Sequence, residues 1–271
     1  MIHQTIDITV PGYQGTAELT TYFQDYSEEL DCSTKRPAVV ICPGGAYRFC
    51  SDREAEPIAI HLLQMGYHAA VLRYSCCPHR YPEALLQLAG AFLFLSSHAE
   101  EYHIDSEKIA VCGFSAGGHL AASYGVFWNK SFVTETWNTS PEKLRPAGML
   151  LAYPVITSGK YAHDESILNL LGDQYDEMKE QISLEKQVSA DTPSTFLWAT
   201  TTDELVPVQN SLLFYEALLT HEIPAELHLY AKGVHGLSLA TPQTAVNGRC
   251  MQTECSSWIS LAETWLKKLF C

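Results

Sequence analysis

Short, continuously apolar segments alternate with helical patterns along most of this 271-residue chain, and no other feature restricts the fold as strongly. The apolar segments lie at 38–42, 68–73, 108–112, 148–153, 195–200 and 225–230. Strands that are apolar on both faces are typical of a parallel sheet covered by helices on both sides. Because strands and helices alternate, right-handed crossovers should connect them. The predicted fold class is therefore α/β.

The first 23 residues follow a different pattern, in which apolar and polar side chains alternate. Ile6, Ile8 and Val10 are followed, across Pro11-Gly12, by a second alternating run over 17–23. This pattern predicts an antiparallel hairpin with one face toward solvent. With the hairpin, the chain is predicted to form an eight-stranded, mostly parallel sheet. Apolar spacing predicts helices over 55–62, 85–95, 120–127, 208–219 and 258–269.

Two segments interrupt the regular alternation. Residues 128–146 are polar and predict a long loop. Residues 155–193 contain an apolar helical pattern at 167–171 and a charged one at 176–186. We predict that 155–193 is a small lid insertion over the carboxyl ends of the strands, where open α/β sheets bind ligands. An additional packing element is the alternative, and residues 1–271 are otherwise predicted to form a single domain.

Composition excludes several classes of partner. The net charge of −14 disfavours nucleic acid and anionic membranes. No apolar run approaches the length of a membrane span, and the first residues, MIHQTIDITV, do not resemble a signal peptide. Nine cysteines without metal-ligand spacing indicate reduced thiols and a cytoplasmic location. Neither a metal nor a cofactor is called for, and the sequence leaves room for a homo-oligomer.

The segment Gly113-Phe114-Ser115-Ala116-Gly117 lies between an apolar strand and an apolar helix. Strand, Gly-x-Ser-x-Gly and helix in this order predict a nucleophile elbow, in which a strained turn presents a serine hydroxyl. Small neighbours at both ends allow the chain to pass closely. Ser115 is thus the predicted nucleophile. The alternative is a glycine-rich turn whose serine caps the helix.

A serine hydroxyl is a weak nucleophile and needs a base within hydrogen-bond reach. Of eleven histidines, His235 is the predicted base, because it follows the last predicted strand in a flexible Gly-Val-His-Gly loop. Such a loop is free to bring the imidazole onto Ser115. His119 lies one helical turn beyond the serine and is predicted to be structural.

A third group must orient the base. Asp203 lies at the end of the strand at 195–200 and is the predicted acid, with Glu204 as its rival. A capping role before the next helix is the alternative for Asp203. The resulting chain order, Ser115, Asp203, His235, is the order found in α/β-hydrolases.

Acyl transfer also requires amide groups that stabilise an oxyanion. The amide of Ala116, directly after the nucleophile, is one predicted donor. Gly45 and Ala46, which follow the first parallel strand, are the others, although an ordinary Pro-Gly turn would also fit this segment. The pocket wall is predicted to include the following side chains: Tyr47, Arg48, Tyr153 and His163.

Five segments together resemble α/β-hydrolase esterases, in a branch that contains acetyl-xylan-esterase-like and feruloyl-esterase-like enzymes. They are 43–47 (PGGAY), 53–57 (REAEP), 81–85 (YPEAL), 113–119 and 166–172. Pro43-Gly44-Gly45 stands where hormone-sensitive-lipase-like esterases carry His-Gly-Gly-Gly, so the histidine of that motif is absent. The resemblance covers nearly the whole chain. It implies serine carboxylesterase activity on small acyl groups, often acetyl esters of plant-cell-wall sugars.

The sequence therefore predicts a serine esterase or deacetylase that acts on a small-molecule ester through an acyl-enzyme. An acetylated oligosaccharide as substrate is implied by the resemblance alone. Two alternatives stay open: a peptidase with the same triad, and a hydrolase fold that binds ligands without catalysis.

Overall fold

The computed structural model describes residues 1–30 and 35–271, and within them eight strands form one sheet in the order β1-β2-β4-β3-β5-β6-β7-β8. The strands are β1 (Thr5–Thr9), β2 (Thr16–Tyr22), β3 (Arg36–Cys42), β4 (His68–Arg73), β5 (Ile104–Phe114), β6 (Met149–Ala152), β7 (Thr195–Thr200) and β8 (Ala225–Tyr230). β2 pairs antiparallel with β1 and with β4, whereas every neighbouring pair from β4 to β8 is parallel. The predicted α/β class and the eight-stranded, mostly parallel sheet are confirmed.

Helices cover both faces of the sheet. They are α1 (Glu56–Gln64), α2 (Glu83–Ser97), α3 (Ala116–Phe127), α4 (Ser131–Thr136), α5 (Asp164–Leu171), α6 (Tyr175–Met178), α7 (Gln209–Thr220) and α8 (Trp258–Leu269). Along β5, Val111 joins the apolar core beneath α2, α3 and α7, whereas Cys112 joins the core beneath α1 and α8. A strand with apolar side chains on both faces is thus explained by burial from both sides.

Part of the apolar stripe along the predicted helix 208–219 is exposed in helix α7. Leu212 and Leu219 are 41% and 53% exposed, whereas Phe214 and Leu218 are completely buried. The buried face also carries Asn210, whose Oδ1 accepts the amides of Ile156 (2.9 Å) and Thr157 (3.1 Å). The predicted helix is confirmed, and its buried face includes a polar side chain that satisfies backbone groups.

The segment 128–146 is more structured than the predicted loop. It contains α4 and a short turn over Pro141–Leu144. Val133 and Leu144 are completely buried, and the indole N–H of Trp137 donates to the carbonyl of Leu86 at 2.9 Å. Isolated apolar side chains within a polar sequence therefore anchor this segment to the core.

The segment 155–193 packs firmly on the body of the protein. Ile156, Ile182 and Leu184 are completely buried, and the Leu184 amide donates to the Ile156 carbonyl at 3.0 Å. Its helix α5 reaches the loop after β3, where Nδ2 of Asn169 donates to the Ala46 carbonyl at 2.9 Å. One side of the segment is thus part of the core, and the other contacts the carboxyl edge of the sheet.

Among the described residues no helix is both long enough and apolar enough to cross a membrane. Each cysteine in the described ranges is a free thiol. Cys42 and Cys112 are buried within strands β3 and β5, where burial raises the pKa of each thiol above its usual value. Both act as small core residues.

Two buried histidines should make the stability of this fold depend on pH. Burial lowers the pKa of His68 and of His119 to about 4, so both stay neutral in the folded chain. In the unfolded chain they bind protons below about pH 6.5. As the pH falls from 6.5 to 4, the free energy of unfolding should therefore drop, by about 3 kcal/mol for each histidine.

Urea unfolding at a series of pH values between 7 and 4 measures the slope of the free energy of unfolding against pH. The variant His68→Asn, whose oxygen can accept the Gln24 amide in place of Nδ1, should remove about half of it. The exposed His221, changed to Gln, is the matched control and should leave the slope unchanged. A free energy of unfolding that is constant over this range would contradict the prediction.

Candidate active site

Ser115 lies between β5 and α3 in a strained turn, with φ 52° and ψ −117°. Two glycines allow the surrounding chain to pass closely. A Cβ atom on Gly113 would lie 2.2 Å from the Gly117 carbonyl oxygen, and one on Gly117 would lie 2.1 Å from the Cys42 carbonyl oxygen. Neither position can carry a side chain without displacing the backbone, so the local geometry is that of an elbow.

The structure brings Ser115, His235 and Asp203 into one hydrogen-bonded chain. The Oγ of Ser115 lies 2.7 Å from Nε2 of His235, and Nδ1 of His235 lies 2.6 Å from Oδ2 of Asp203. A carboxylate only accepts, so Nδ1 carries the proton and Nε2 is left to accept the serine O–H. The Asp203 side chain is 1% exposed and that of His235 is 13% exposed. This arrangement can withdraw a proton from the serine.

Asp203 also organises its own turn. Its second oxygen, Oδ1, accepts the amides of Leu205 and Val206, each at 3.0 Å. Since α7 begins only at Gln209, this turn is separate from the helix cap that was the alternative role for Asp203. The rival residue Glu204 is exposed on the same turn.

The loop that carries His235 is held in place, which differs from the flexible loop expected from its glycines. The Gly233 carbonyl accepts the hydroxyls of Thr200 and Thr202, each at 3.0 Å. Arg53 donates from Nη2 to the Gly236 carbonyl at 2.7 Å. Gly233 and Gly236 are needed for their positive φ values of 157° and 72°, and they do not make the loop flexible.

The loop after β3 passes directly over the serine. A Cβ atom on Gly44 would lie 3.0 Å from Cβ of Ser115, and Gly45 has a φ of 132° that favours glycine. The Gly44 amide donates to Glu54, but no hydrogen bond within the described ranges uses the amide of Gly45 or Ala46. Ala116 is the first residue of α3, so its amide has no intrahelical acceptor. The three predicted donor amides are thus free to bind a ligand.

A cavity of about 260 Å³ opens beside Ser115 and His235. Of the predicted wall residues, Arg48 and His163 line this cavity. Arg48 pairs with Glu165 at 3.1 Å, and Nδ1 of His163 lies 2.8 Å from Oγ of Ser166. Burial, and then the nearby His235, lower the pKa of His163, which favours its neutral form.

Tyr47 and Tyr153, also predicted for the wall, do not line the cavity, and each is only 2% exposed. The Tyr47 hydroxyl donates to Nδ1 of His119 at 2.9 Å, while Nε2 of His119 donates to the Ile182 carbonyl at 2.9 Å. His119 is therefore structural, as predicted. Each tyrosine hydroxyl has a buried acceptor, and this explains why the side chains turn inward.

Seven residues that the sequence did not single out for the site also line the cavity: Phe49, Ser51, Arg53, Glu54, Glu165, Leu205 and Gly236. Arg53 and its neighbour Glu54 are charged and lie within ten positions of the glycine-rich loop. This proximity is the feature of the sequence that could have indicated a role at the site. A larger cavity of about 740 Å³ lies on the other side of His235 and Leu205. Among the described residues no group of three or more His, Cys, Asp or Glu side chains is placed to hold a metal ion.

A serine at an elbow turn, hydrogen-bonded to a histidine that is itself hydrogen-bonded to an aspartate, at the carboxyl edge of a mostly parallel sheet, is the arrangement that defines the α/β-hydrolase fold. The chain resembles the acetyl ester-xyloside bifunctional hydrolase of Caldicellulosiruptor lactoaceticus, with a TM-score of 0.84 and 33% identity over 98% of this chain and 96% of that one. The chain belongs to the BD-FAE family, whose model matches residues 26–218.

Two curated relatives match over part of their length. The chain is 37% identical over 220 residues to endo-1,4-beta-xylanase B of Butyrivibrio fibrisolvens, which is 77% of this chain and 34% of the relative. It is 28% identical over 211 residues to the acetylxylan esterase of Xylanibacter ruminicola, which is 75% of this chain and 42% of the relative. The chain thus spans less than half of each of these proteins.

Proposed function

We propose that this protein is a serine esterase that removes small acyl groups, above all acetyl groups, from ester substrates through an acyl-enzyme. The observation that carries the proposal is the chain of short contacts from Ser115 Oγ to His235 (2.7 Å) and from His235 to Asp203 (2.6 Å) at the edge of a cavity. The relative named acetylxylan esterase supports the acetyl preference.

In the proposed mechanism, Ser115 Oγ attacks the ester carbonyl while His235 Nε2 takes the hydroxyl proton. The negative Asp203 stabilises the imidazolium that forms. The amides of Gly45, Ala46 and Ala116 bind the oxyanion of the tetrahedral intermediate. His235 then gives its proton to the leaving alcohol, and a water molecule, activated in the same way, releases the acid and restores the serine.

The size and lining of the cavity support a small acyl group on a polar alcohol. A volume of about 260 Å³ lies below the range of drug-sized ligand pockets, which starts at about 300 Å³. Arg48, His163 and Glu165 offer hydrogen-bonding groups at its wall, which suits a hydroxylated leaving group such as a sugar. We propose acetylated xylo-oligosaccharides as substrates, with the segment 155–193 supplying one fixed wall of the site through α5.

A panel of esters tests this proposal. The value of kcat/KM should fall at least about tenfold from p-nitrophenyl acetate to the butyrate, since two additional methylene groups must enter a confined cavity. Acetate should also be released from acetylated xylo-oligosaccharides, and the matched acetanilide should turn over far more slowly than the acetate ester. A preference for butyryl or feruloyl esters would contradict the acyl assignment, and equal turnover of the amide would favour a peptidase.

A further inference from the structure

Glu54 is a buried carboxylate outside the serine, histidine and aspartate chain, and it is only 3% exposed. It ends a short helical turn, Asp52–Glu54, that follows the glycine-rich loop. Its Oε2 accepts the Gly44 amide at 2.8 Å, one residue before the proposed donor Gly45. Gly44 also makes the close approach to Ser115 described above. One oxygen of Glu54 therefore fixes the loop that carries the oxyanion donors.

The other oxygen of Glu54 reaches the histidine loop through a tyrosine. Oε1 accepts the Tyr153 hydroxyl at 2.6 Å, and the Tyr153 oxygen in turn accepts the Ser238 amide at 2.8 Å. The ring of Tyr153 lies 5.1 Å from the imidazole of His235, edge to face. Because Ser238 is three residues beyond His235, this chain of contacts fixes the loop that carries the base.

The neighbouring Arg53 contacts the same loop with its backbone and side chain. Its carbonyl accepts the Ser238 hydroxyl at 2.6 Å, and its guanidinium donates to the carbonyls of Gly236 (2.7 Å) and Thr244 (2.6 Å). The turn that bears Glu54 is thus tied to the histidine loop at several points. Relative movement of the two loops requires that buried, charge-assisted hydrogen bonds break.

We propose that Glu54 is a positioning residue, which holds the oxyanion donors and His235 in register with Ser115 through Gly44 on one side and Tyr153 on the other. This proposal rests on the esterase mechanism given above. Misplacement of reacting groups by about 1 Å costs about 10²-fold in rate. A residue that fixes the positions of both loops should therefore increase kcat. Glu54 lies at the wall of the cavity, but its two oxygens accept from Gly44 and Tyr153, and within the described residues it makes no hydrogen bond to Ser115, His235 or Asp203.

Only a carboxylate satisfies both contacts at once. A glutamine at position 54 has a single acceptor oxygen. If that oxygen faced the Gly44 amide, its NH₂ group would face Tyr153, whose hydroxyl hydrogen would lose its buried acceptor. In the reverse orientation, two donors would meet at Gly44. Either way one buried donor is left unpaired and one of the two loops is released.

Steady-state kinetics of Glu54→Gln and Tyr153→Phe with p-nitrophenyl acetate test this role. Glu54→Gln should lower kcat about 10- to 100-fold and change KM less than about threefold, since the loss falls on the transition state. The affinity for a trifluoromethyl ketone, which forms a tetrahedral adduct with a serine, should fall by the same factor as kcat/KM. Tyr153→Phe keeps the ring and should lower kcat about tenfold. The double variant should be no slower than Glu54→Gln alone, because both changes break one chain.

Glu83→Gln is the matched control. Glu83 is 5% exposed and its Oε1 accepts the Gly15 amide at 2.5 Å, away from the serine. It should lower the thermal stability and leave kcat unchanged. Wild-type kcat in folded Glu54→Gln would overturn the proposal, as would equal kinetic losses in both glutamine variants or multiplicative losses in the double variant.

Tyr153→Phe decides the matter if Glu54→Gln does not fold, and wild-type kcat in folded Tyr153→Phe would then overturn the proposal. A failure of the underlying mechanism looks different, because Ser115→Ala would then keep its activity. Loss of activity in Ser115→Ala together with full activity in Glu54→Gln would reject the positioning role alone.

Discussion

Replacement of Ser115 with alanine is expected to lower kcat for p-nitrophenyl acetate by about 10⁴-fold or more. Among the described residues, Ser115 is the only one whose hydroxyl is hydrogen-bonded to His235, at 2.7 Å. The residual rate should come from substrate binding and the oxyanion donors alone. Because alanine keeps the Cβ atom, the strain at φ 52° is the same for both residues, and the variant should fold normally.

Labelling with a fluorophosphonate provides a second measurement of the same variant. The wild-type protein should be labelled at residue 115, and Ser115→Ala should not be labelled. Ser123→Ala is the control, since Ser123 lies on the same helix, α3, and is 2% exposed. Turnover at the wild-type rate in Ser115→Ala would reject the esterase mechanism.

Replacement of Asp203 with asparagine should lower kcat by about 10⁴-fold. The Oδ1 of Asp203 accepts the Leu205 and Val206 amides, and asparagine can keep these contacts with its own oxygen. Its NH₂ group would then face Nδ1 of His235, which must become an acceptor. The imidazole proton would move to Nε2, where it blocks acceptance of the serine proton. The loss should appear in kcat with a normal thermal unfolding temperature.

Glu204→Gln separates the two acids that the sequence left as rivals. Glu204 is exposed on the turn beside Asp203, and its neutral variant should retain kcat within about twofold, as is usual for changes away from the reacting groups. A large loss in Glu204→Gln with little change in Asp203→Asn would contradict the assignment of the acid.

The positions of Ser115, Asp203 and His235 could be predicted because each follows the end of a strand that the apolar pattern reveals. Parallel strands bring such positions to one edge of the sheet, whatever their separation along the chain. The glycines beside Ser115 were equally informative, since they occur where two stretches of backbone approach closely.

The parts that could not be predicted depend on which way a side chain points. Tyr47 and Tyr153 stand at loop positions near the site, but buried acceptors turn both inward, and a sequence pattern does not reveal these acceptors. The burial of the polar Asn210 on α7 could not be predicted for the same reason, because the two backbone amides that it accepts belong to another segment. The contacts of Glu54, which the sequence shows only as part of the segment 53–57, could not be predicted because its partners, Gly44 and Tyr153, lie 10 and 99 residues away.

The close contacts of Gly44, Gly113 and Gly117 have a consequence for the precision of the site. At each of these three points a Cβ atom would lie within 2.9 Å of a carbonyl oxygen of the neighbouring main chain, that of Phe114, Gly117 and Cys42 in turn. Side chains exchange rotamers on the picosecond to nanosecond scale, whereas the hydrogen-bonded backbone of a sheet does not. The position of the Ser115 Cβ atom is therefore set by contacts between backbone segments. Rotamer changes in neighbouring side chains should not displace it.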